Sequence, residues 1–203
     1  MKYVKMLGLL ALAATALFAF AASASATTVT KSGAIYTGKL AAVTEGHAIL
    51  HDTSGLGLTI ECNSTVEGEI IKHGAGVTAS GPITSLTWFN CTNTWTVTTL
   101  LKGALEIHNI AGTSNGTLTS TGTEVTTFQH STTLHCIYKT NATDIGGFTS
   151  TPAGGKSTLD ISATIPRTGG SSGFFCGTAA AWTGSYELEA TAGNLPTTLH
   201  IDS

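Results

Sequence analysis

Cys62, Cys91, Cys136 and Cys176 are the residues of this chain with the widest choice of chemistry, since thiols ligate metals, cycle redox state or close disulfides. A four-cysteine zinc site needs close pairs of the C-x-x-C type, whereas the two nearest cysteines here stand about thirty positions apart. The start of the chain decides between the remaining options. Lys2 and Lys5 precede an apolar run from Met6 to Ala22 that leads into Ala24-Ser25-Ala26, the layout of an export signal cleaved before Thr27. Thiols delivered to an oxidising compartment pair with one another, so two disulfides are expected, with no metal and no cofactor.

Two serine motifs match G-x-S-x-G: Gly112-Thr113-Ser114-Asn115-Gly116 and Gly169-Gly170-Ser171-Ser172-Gly173. A nucleophile elbow needs a strand before the serine and a helix after it, and neither stretch is followed by a helical pattern. Asp52-Thr53-Ser54-Gly55 resembles half of an aspartic-protease loop, but no second copy exists to share a proton, so it reads as a turn. No catalytic residue is assigned.

Seven histidines raise the metal question again, most of all His47 and His51 beside Glu45 and Asp52. On one extended strand Glu45, His47 and His51 share a face, yet His47 and His51 would lie about 13 Å apart, too far for one ion without a bend. His130 and His135 have opposite strand parity. The aromatics Tyr36, Trp88, Trp95, Tyr138, Trp182 and Tyr186 offer a stacking platform for sugars or, where they alternate with hydroxyls, a buried face. Asn63, Asn90, Asn115 and Asn141 each open a formal glycosylation sequon.

The elements that must position these groups are strands. Trp182, Tyr186 and Leu188 fall on one face of a run whose other face carries Thr183, Ser185, Glu187 and Glu189. The same two-residue period joins Leu159, Ile161, Ala163 and Ile165; Leu58, Ile60 and Cys62; Leu134, Cys136 and Tyr138; and Trp95 with Val97. Gly, Ser, Asn and Pro clusters punctuate the runs at short intervals. Excluding the leader, residues 1–26, leaves one all-β domain over 27–203. It reads as an antiparallel β-sandwich or barrel-like pair of sheets with about 10–13 strands.

Composition fits an exported protein. Without Lys2 and Lys5 there are seven basic against twelve acidic residues, 7 − 12 = −5, which argues against a basic face for nucleic acid. Charged residues are only 10% of the chain, so the polar surface must be built largely from threonine, about a fifth of residues 27–203. No second apolar run after the leader is long enough to span a bilayer, so the mature chain is expected to be free of the membrane. Leu195-Pro196-Thr197-Thr198 resembles the start of a wall-sorting signal, but Leu199 stands where that signal needs glycine.

An internal echo divides the domain into two related halves, about 27–110 and 111–203. Cys91 and Cys176 each precede a Trp-opened strand, at Trp95 and Trp182, and Cys62 and Cys136 each end an apolar-face stretch upstream. Four cysteines allow three pairings; the echo favours Cys62 with Cys91 and Cys136 with Cys176.

Ile60-Glu61-Cys62, then Ile83 through Trp88-Phe89-Asn90-Cys91-Thr92, then Phe175-Cys176 leading to Ala181-Trp182-Thr183-Gly184-Ser185-Tyr186 make a pattern over most of the mature chain. With the leader, it resembles a group of secreted β-rich actinobacterial proteins with four spaced cysteines and no assigned activity. The resemblance implies an extracytoplasmic bacterial protein and brings no active-site residues. The expectation is therefore a secreted, non-enzymatic extracellular or cell-envelope module that binds or builds, with a surface glycan or a protein as partner. The alternative is a secreted hydrolase acting on polysaccharide or ester, its acid and base drawn from Asp52, Glu67, Glu69 or Asp160.

Overall fold

Residues 27–53, 57–73, 78–150, 156–169, 175–189 and 199–202 are described by the computed structural model. The export leader, the serine motif beyond Gly169 and residues 195–198 lie outside the described residues. Threonine and β-branched residues suit a pleated backbone, and here they form fifteen strands with no α-helix among the described residues. The first half supplies β1 (Thr28–Lys31), β2 (Ala34–Ile35), β3 (Gly38–Thr44), β4 (Ala48–Asp52), β5 (Thr59–Ile70), β6 (Ala79–Phe89), β7 (Trp95–Leu101) and β8 (Ala104–Asn109). The second supplies β9 (Gly116–Thr121), β10 (Glu124–Gln129), β11 (Leu134–Lys139), β12 (Thr143–Ser150), β13 (Ser157–Pro166), β14 (Ala179–Glu189) and β15 (His200–Asp202).

Of the two architectures the periodicity allowed, the chain adopts the barrel. Eight strands pair in the order β3-β5-β6-β8-β9-β12-β13-β14, and β14 pairs back to β3, every pair antiparallel. Closure of this kind leaves no free sheet edge in the wall. Each half of the chain contributes four of the eight strands. β4 shares a position with β3: β3 fills the gap between residues 186–189 and 65–70, and β4 the gap between 180–183 and 59–62. The chain turns between them at Gly46, whose φ of +88° is easy only for glycine.

Both barrel ends are covered. The three-stranded sheet β15-β1-β2 plugs one end, where Val29, Leu199 and Ile201 are fully buried. The three-stranded sheet β11-β10-β7 caps the other, burying Trp95, Val97, Val125, Cys136 and Tyr138. The strand count exceeds the ten to thirteen expected because β1, β2 and β15, of 4, 2 and 3 residues, are too short to show a period.

Alternation decides what faces inward. In β13 Leu159, Ile161, Ala163 and Ile165 are buried, and in β14 Ala180, Trp182, Tyr186 and Leu188 are buried, as the two-residue period required. At Gly146 on β12 the wall tightens: φ is +144°, and a Cβ there would stand 1.9 Å from the Asp160 carbonyl oxygen, so only glycine fits.

The disulfides are Cys62–Cys91 and Cys136–Cys176, with sequence separations of 29 and 40. The first joins β5 to the turn after β6. The second joins β11 of the cap to the segment before β14, so it staples the cap sheet to the barrel wall. In the chain-entropy model loops of these lengths stabilise the fold by roughly 3.5–4 kcal/mol each.

Candidate functional site

An eight-stranded barrel is just wide enough for its side chains to fill the interior, or to leave room for one small ligand. This one leaves room. A cavity of about 70 Å³ lies beneath the plug. Every barrel strand reaches it: Leu40, Val66, Ala79 and Leu105 on one side, Leu118, Phe148, Leu159 and Leu188 on the other, with Leu199 of the plug end as its lid. The space is left by small residues on three neighbouring strands, Ala42, Gly68, Ala79 and Gly81. Gly81 has to be small, since a Cβ there would stand 1.5 Å from the Glu69 carbonyl oxygen.

The cavity continues toward the middle of the barrel. A second void, about 20 Å³, shares the walls Val66, Leu105, Leu118 and Leu159 and adds Ser120 and Thr123. That volume holds one water-sized oxygen. Two voids of about 10 Å³ follow toward the cap, the nearer sharing Leu86, Thr123 and Trp182 with the second. Trp182 stands edge-on to Tyr186 with ring centroids 6.4 Å apart and tilted to Trp88 at 5.9 Å. Of the six aromatics, Trp95, Tyr138, Trp182 and Tyr186 are buried in the core, and Tyr36 and Trp88 are partly buried against it.

Polar side chains enter this interior at several places: Tyr186 donates to Ser64 Oγ at 3.3 Å, Asp52 and Thr127 line the last void toward the cap, and three hydroxyls cluster beside the 20 Å³ void. The hydroxyls of Ser120, Thr123 and Thr140 are all buried; Ser120 Oγ lies 3.0 Å from each of the other two. Thr123 Oγ1 donates to the Lys102 carbonyl at 2.8 Å, and Thr140 Oγ1 accepts from the Thr123 amide at 3.0 Å. Buried hydroxyls must find partners, and these find them in one another and the backbone.

The plug is latched by side chains. Ser157 Oγ donates to the Leu199 carbonyl at 3.0 Å and accepts from the Leu199 amide at 2.9 Å. One residue further on, His200 Nδ1 and Ser150 Oγ are 2.9 Å apart, and the Ser150 amide donates to Asn115 Oδ1 at 3.1 Å. Ser150 and His200 form the nucleophile–base geometry that sequence reading missed, because fifty residues separate them. Ser150 is only 6% exposed, so the pair serves first to hold β15 onto β12.

The residues singled out from the sequence are not brought together. Ser114 lies in the turn between β8 and β9, a turn held by Thr113 Oγ1 donating to the Ile110 carbonyl, and a strand rather than a helix follows it. Asp52 is buried at the end of β4, accepting from the Gly177 amide at 2.8 Å; it braces the wall rather than forming an exposed turn. Glu45 pairs with Lys156 at 3.3 Å, and Lys156 also binds Glu187. His51 Nδ1 is 2.9 Å from Thr59 Oγ1, and Glu45 and His47 fall in the turn before β4, off its face. His130 packs edge-on to Phe128 at 5.0 Å, while His135 lies on β11. Asp160 accepts from Ser185 at 2.7 Å, and on β5 Glu69 is among the residues lining the cavity, beside Gly68 and Ile70, whereas Glu67 is not. No group of three His, Cys, Asp or Glu side chains is placed to hold a metal ion among the described residues. Three of the sequon amides are engaged: Asn63 donates to the Gly46 carbonyl, Asn90 donates to Asn63 Oδ1 at 3.5 Å, and Asn115 accepts from the Ser150 amide.

Electrostatics at the cap end are those of a braced core. Burial pushes the Tyr138 phenol up to about 12; the Asp52 charge adds to the rise and the Arg167 guanidinium opposes it. Arg167 donates to the Cys176 carbonyl at 2.6 Å, and the Thr168 amide to the Ile137 carbonyl at 2.9 Å, pinning the cap sheet beside the second disulfide.

Fold and cavity together define a closed, antiparallel eight-stranded barrel, covered at both ends, with an apolar interior void. No family model, curated protein or solved structure matches the chain. Among the described residues no helix is long and apolar enough to cross a membrane.

Proposed function

We propose that this is a non-enzymatic, extracytoplasmic bacterial binding module that holds a small apolar molecule inside its barrel. The observation that carries the reading is the cavity of about 70 Å³, lined from all eight strands and roofed by Leu199. A void of this kind persists because its apolar walls do not hold water, and it offers a ready-made site to an apolar guest. Two disulfides support an oxidising compartment, and the leader pattern supplies the route to it.

A second reading, an ester hydrolase, is favoured by one contact, the 2.9 Å approach of Ser150 to His200. The test sets binding against turnover. The oxidised protein, residues 27–203, is titrated with dissolved n-butane while the methyl resonances of Leu118 and Leu159 are followed by NMR, and in parallel is given a short-chain p-nitrophenyl ester. Saturable methyl shifts without ester turnover are the expected result. Ester turnover abolished by Ser150→Ala, with no methyl shifts, would replace the binding reading by the hydrolase.

A further inference from the structure

We infer that the void of about 20 Å³ in the middle of the barrel is a built site for one ordered water, which accepts a hydrogen bond from the Trp182 indole and gives its two protons to Ser120 and Thr123. The assignment stands apart from the binding reading, because it concerns the neighbouring void and needs no guest.

The donor comes from Trp182. The residue is 6% exposed, its Nε1 is buried, and among the described residues that Nε1 has no hydrogen-bond partner. A buried N–H without an acceptor forfeits its hydration, and native proteins seldom leave one so. The Tyr186 phenol lies close enough for the indole N–H to ease its ionisation, yet no hydrogen bond joins the two, and the phenol gives its own proton to Ser64 Oγ at 3.3 Å. Tyr186 and Trp182 both line the 20 Å³ void, whereas of the two only Trp182 reaches the next void toward the cap. An indole N–H beside Tyr186 is therefore on the side of the 20 Å³ void.

The acceptors follow from counting protons in the hydroxyl cluster. Each hydroxyl has one proton to give and two lone pairs to accept with. Thr123 gives its proton to the Lys102 carbonyl at 2.8 Å, so the 3.0 Å contact between Thr123 and Ser120 uses the Ser120 proton. Thr140 accepts from the Thr123 amide and gives its proton to Ser120 at 3.0 Å or to the Thr123 carbonyl at 3.4 Å. All three protons are committed, while Ser120 and Thr123, which both line the void, each keep an open lone pair.

One unspent donor and two unspent acceptors thus surround a single void. The molecule that accepts once and donates twice in so small a space is water. Three hydrogen bonds is the usual number for a buried water, and about 20 Å³ exceeds the roughly 10–15 Å³ that one needs. With the water in place the indole N–H is satisfied, and an apolar guest is confined to the 70 Å³ cavity.

The experiment is a high-resolution crystal structure of the oxidised protein, residues 27–203, solved with and without xenon pressure. The expected result is one water peak within about 2.5–3.2 Å of Trp182 Nε1, Ser120 Oγ and Thr123 Oγ1, unmoved when xenon is applied. An empty 20 Å³ void, a xenon atom in it, or a water there that does not reach Trp182 Nε1 would overturn the inference. The water in place with no xenon in the larger cavity would uphold this inference and remove the binding reading, so the two fail separately.

Discussion

Ser157 and Leu199 hold each other by two reciprocal hydrogen bonds, the serine hydroxyl giving to the leucine carbonyl at 3.0 Å and taking from its amide at 2.9 Å. Through this pair the barrel wall grips the residue that roofs the cavity. Replacing the hydroxyl leaves a buried N–H and C=O without those partners, which costs about 1–3 kcal/mol. Ser157→Ala is thus expected to lower the unfolding free energy measured in urea by that amount and to speed amide exchange at Val29 and Ile201 more than at Leu86. Unchanged exchange in the plug would show that the latch is not what holds it.

Leu118 is 1% exposed and forms part of the wall of both larger voids. Truncation there removes buried methyl groups and enlarges an existing hole. Leu118→Ala should cost about 2–5 kcal/mol and admit benzene, which the unsubstituted cavity is too small to hold. Denaturant unfolding with and without benzene measures both effects, and a benzene-dependent recovery of stability is the sign of an enlarged cavity.

The bridge Cys136–Cys176 closes a loop of 40 residues and ties the cap sheet to the wall. Changing both cysteines to serine should lower stability by up to about 4 kcal/mol. Exchange should rise first in β10 and β11, with β13 and β14 protected. Loss of protection in all strands at once would mean that cap and barrel unfold as one unit.

Burial raises the phenols of Tyr138 and Tyr186 to about 12 in the folded protein, against an ordinary value of 10.0. The folded state therefore holds these two protons more tightly than the unfolded chain does. Their contribution is fully present below about pH 10 and is lost as pH rises from about 10 to about 12. Absorbance at 295 nm should show the two phenols ionising only as the near-ultraviolet circular dichroism collapses. Reversible ionisation of every tyrosine near pH 10 with the fold intact would contradict their burial.

The strands were readable in the sequence where alternation is strong, as at Trp182, Tyr186 and Leu188 or along Leu159, Ile161, Ala163 and Ile165, because a half-buried strand writes its face into every second residue. The disulfide pairing was readable from the echo between the halves. Closure was not, since β14 meets β3 across more than a hundred residues, and hydrogen-bond partners leave no trace in periodicity. Asp52 was read as a turn because nothing local announces the Gly177 amide that fixes it in the core. The cavity was hidden for a related reason: Ala42, Gly68, Ala79 and Gly81 look unremarkable one by one and make a void only when three strands bring them side by side. Ser120 carried a usable signal, as it shares strand parity with Leu118 and so had to face inward.

The most direct test of a binding barrel is to look for a guest in place. A crystal of the oxidised protein, residues 27–203, pressurised with xenon should show one xenon site among Leu118, Phe148, Leu159 and Leu188, beneath Leu199. Xenon absent from the barrel, with neighbouring side chains filling the space, would contradict the existence of an apolar binding cavity.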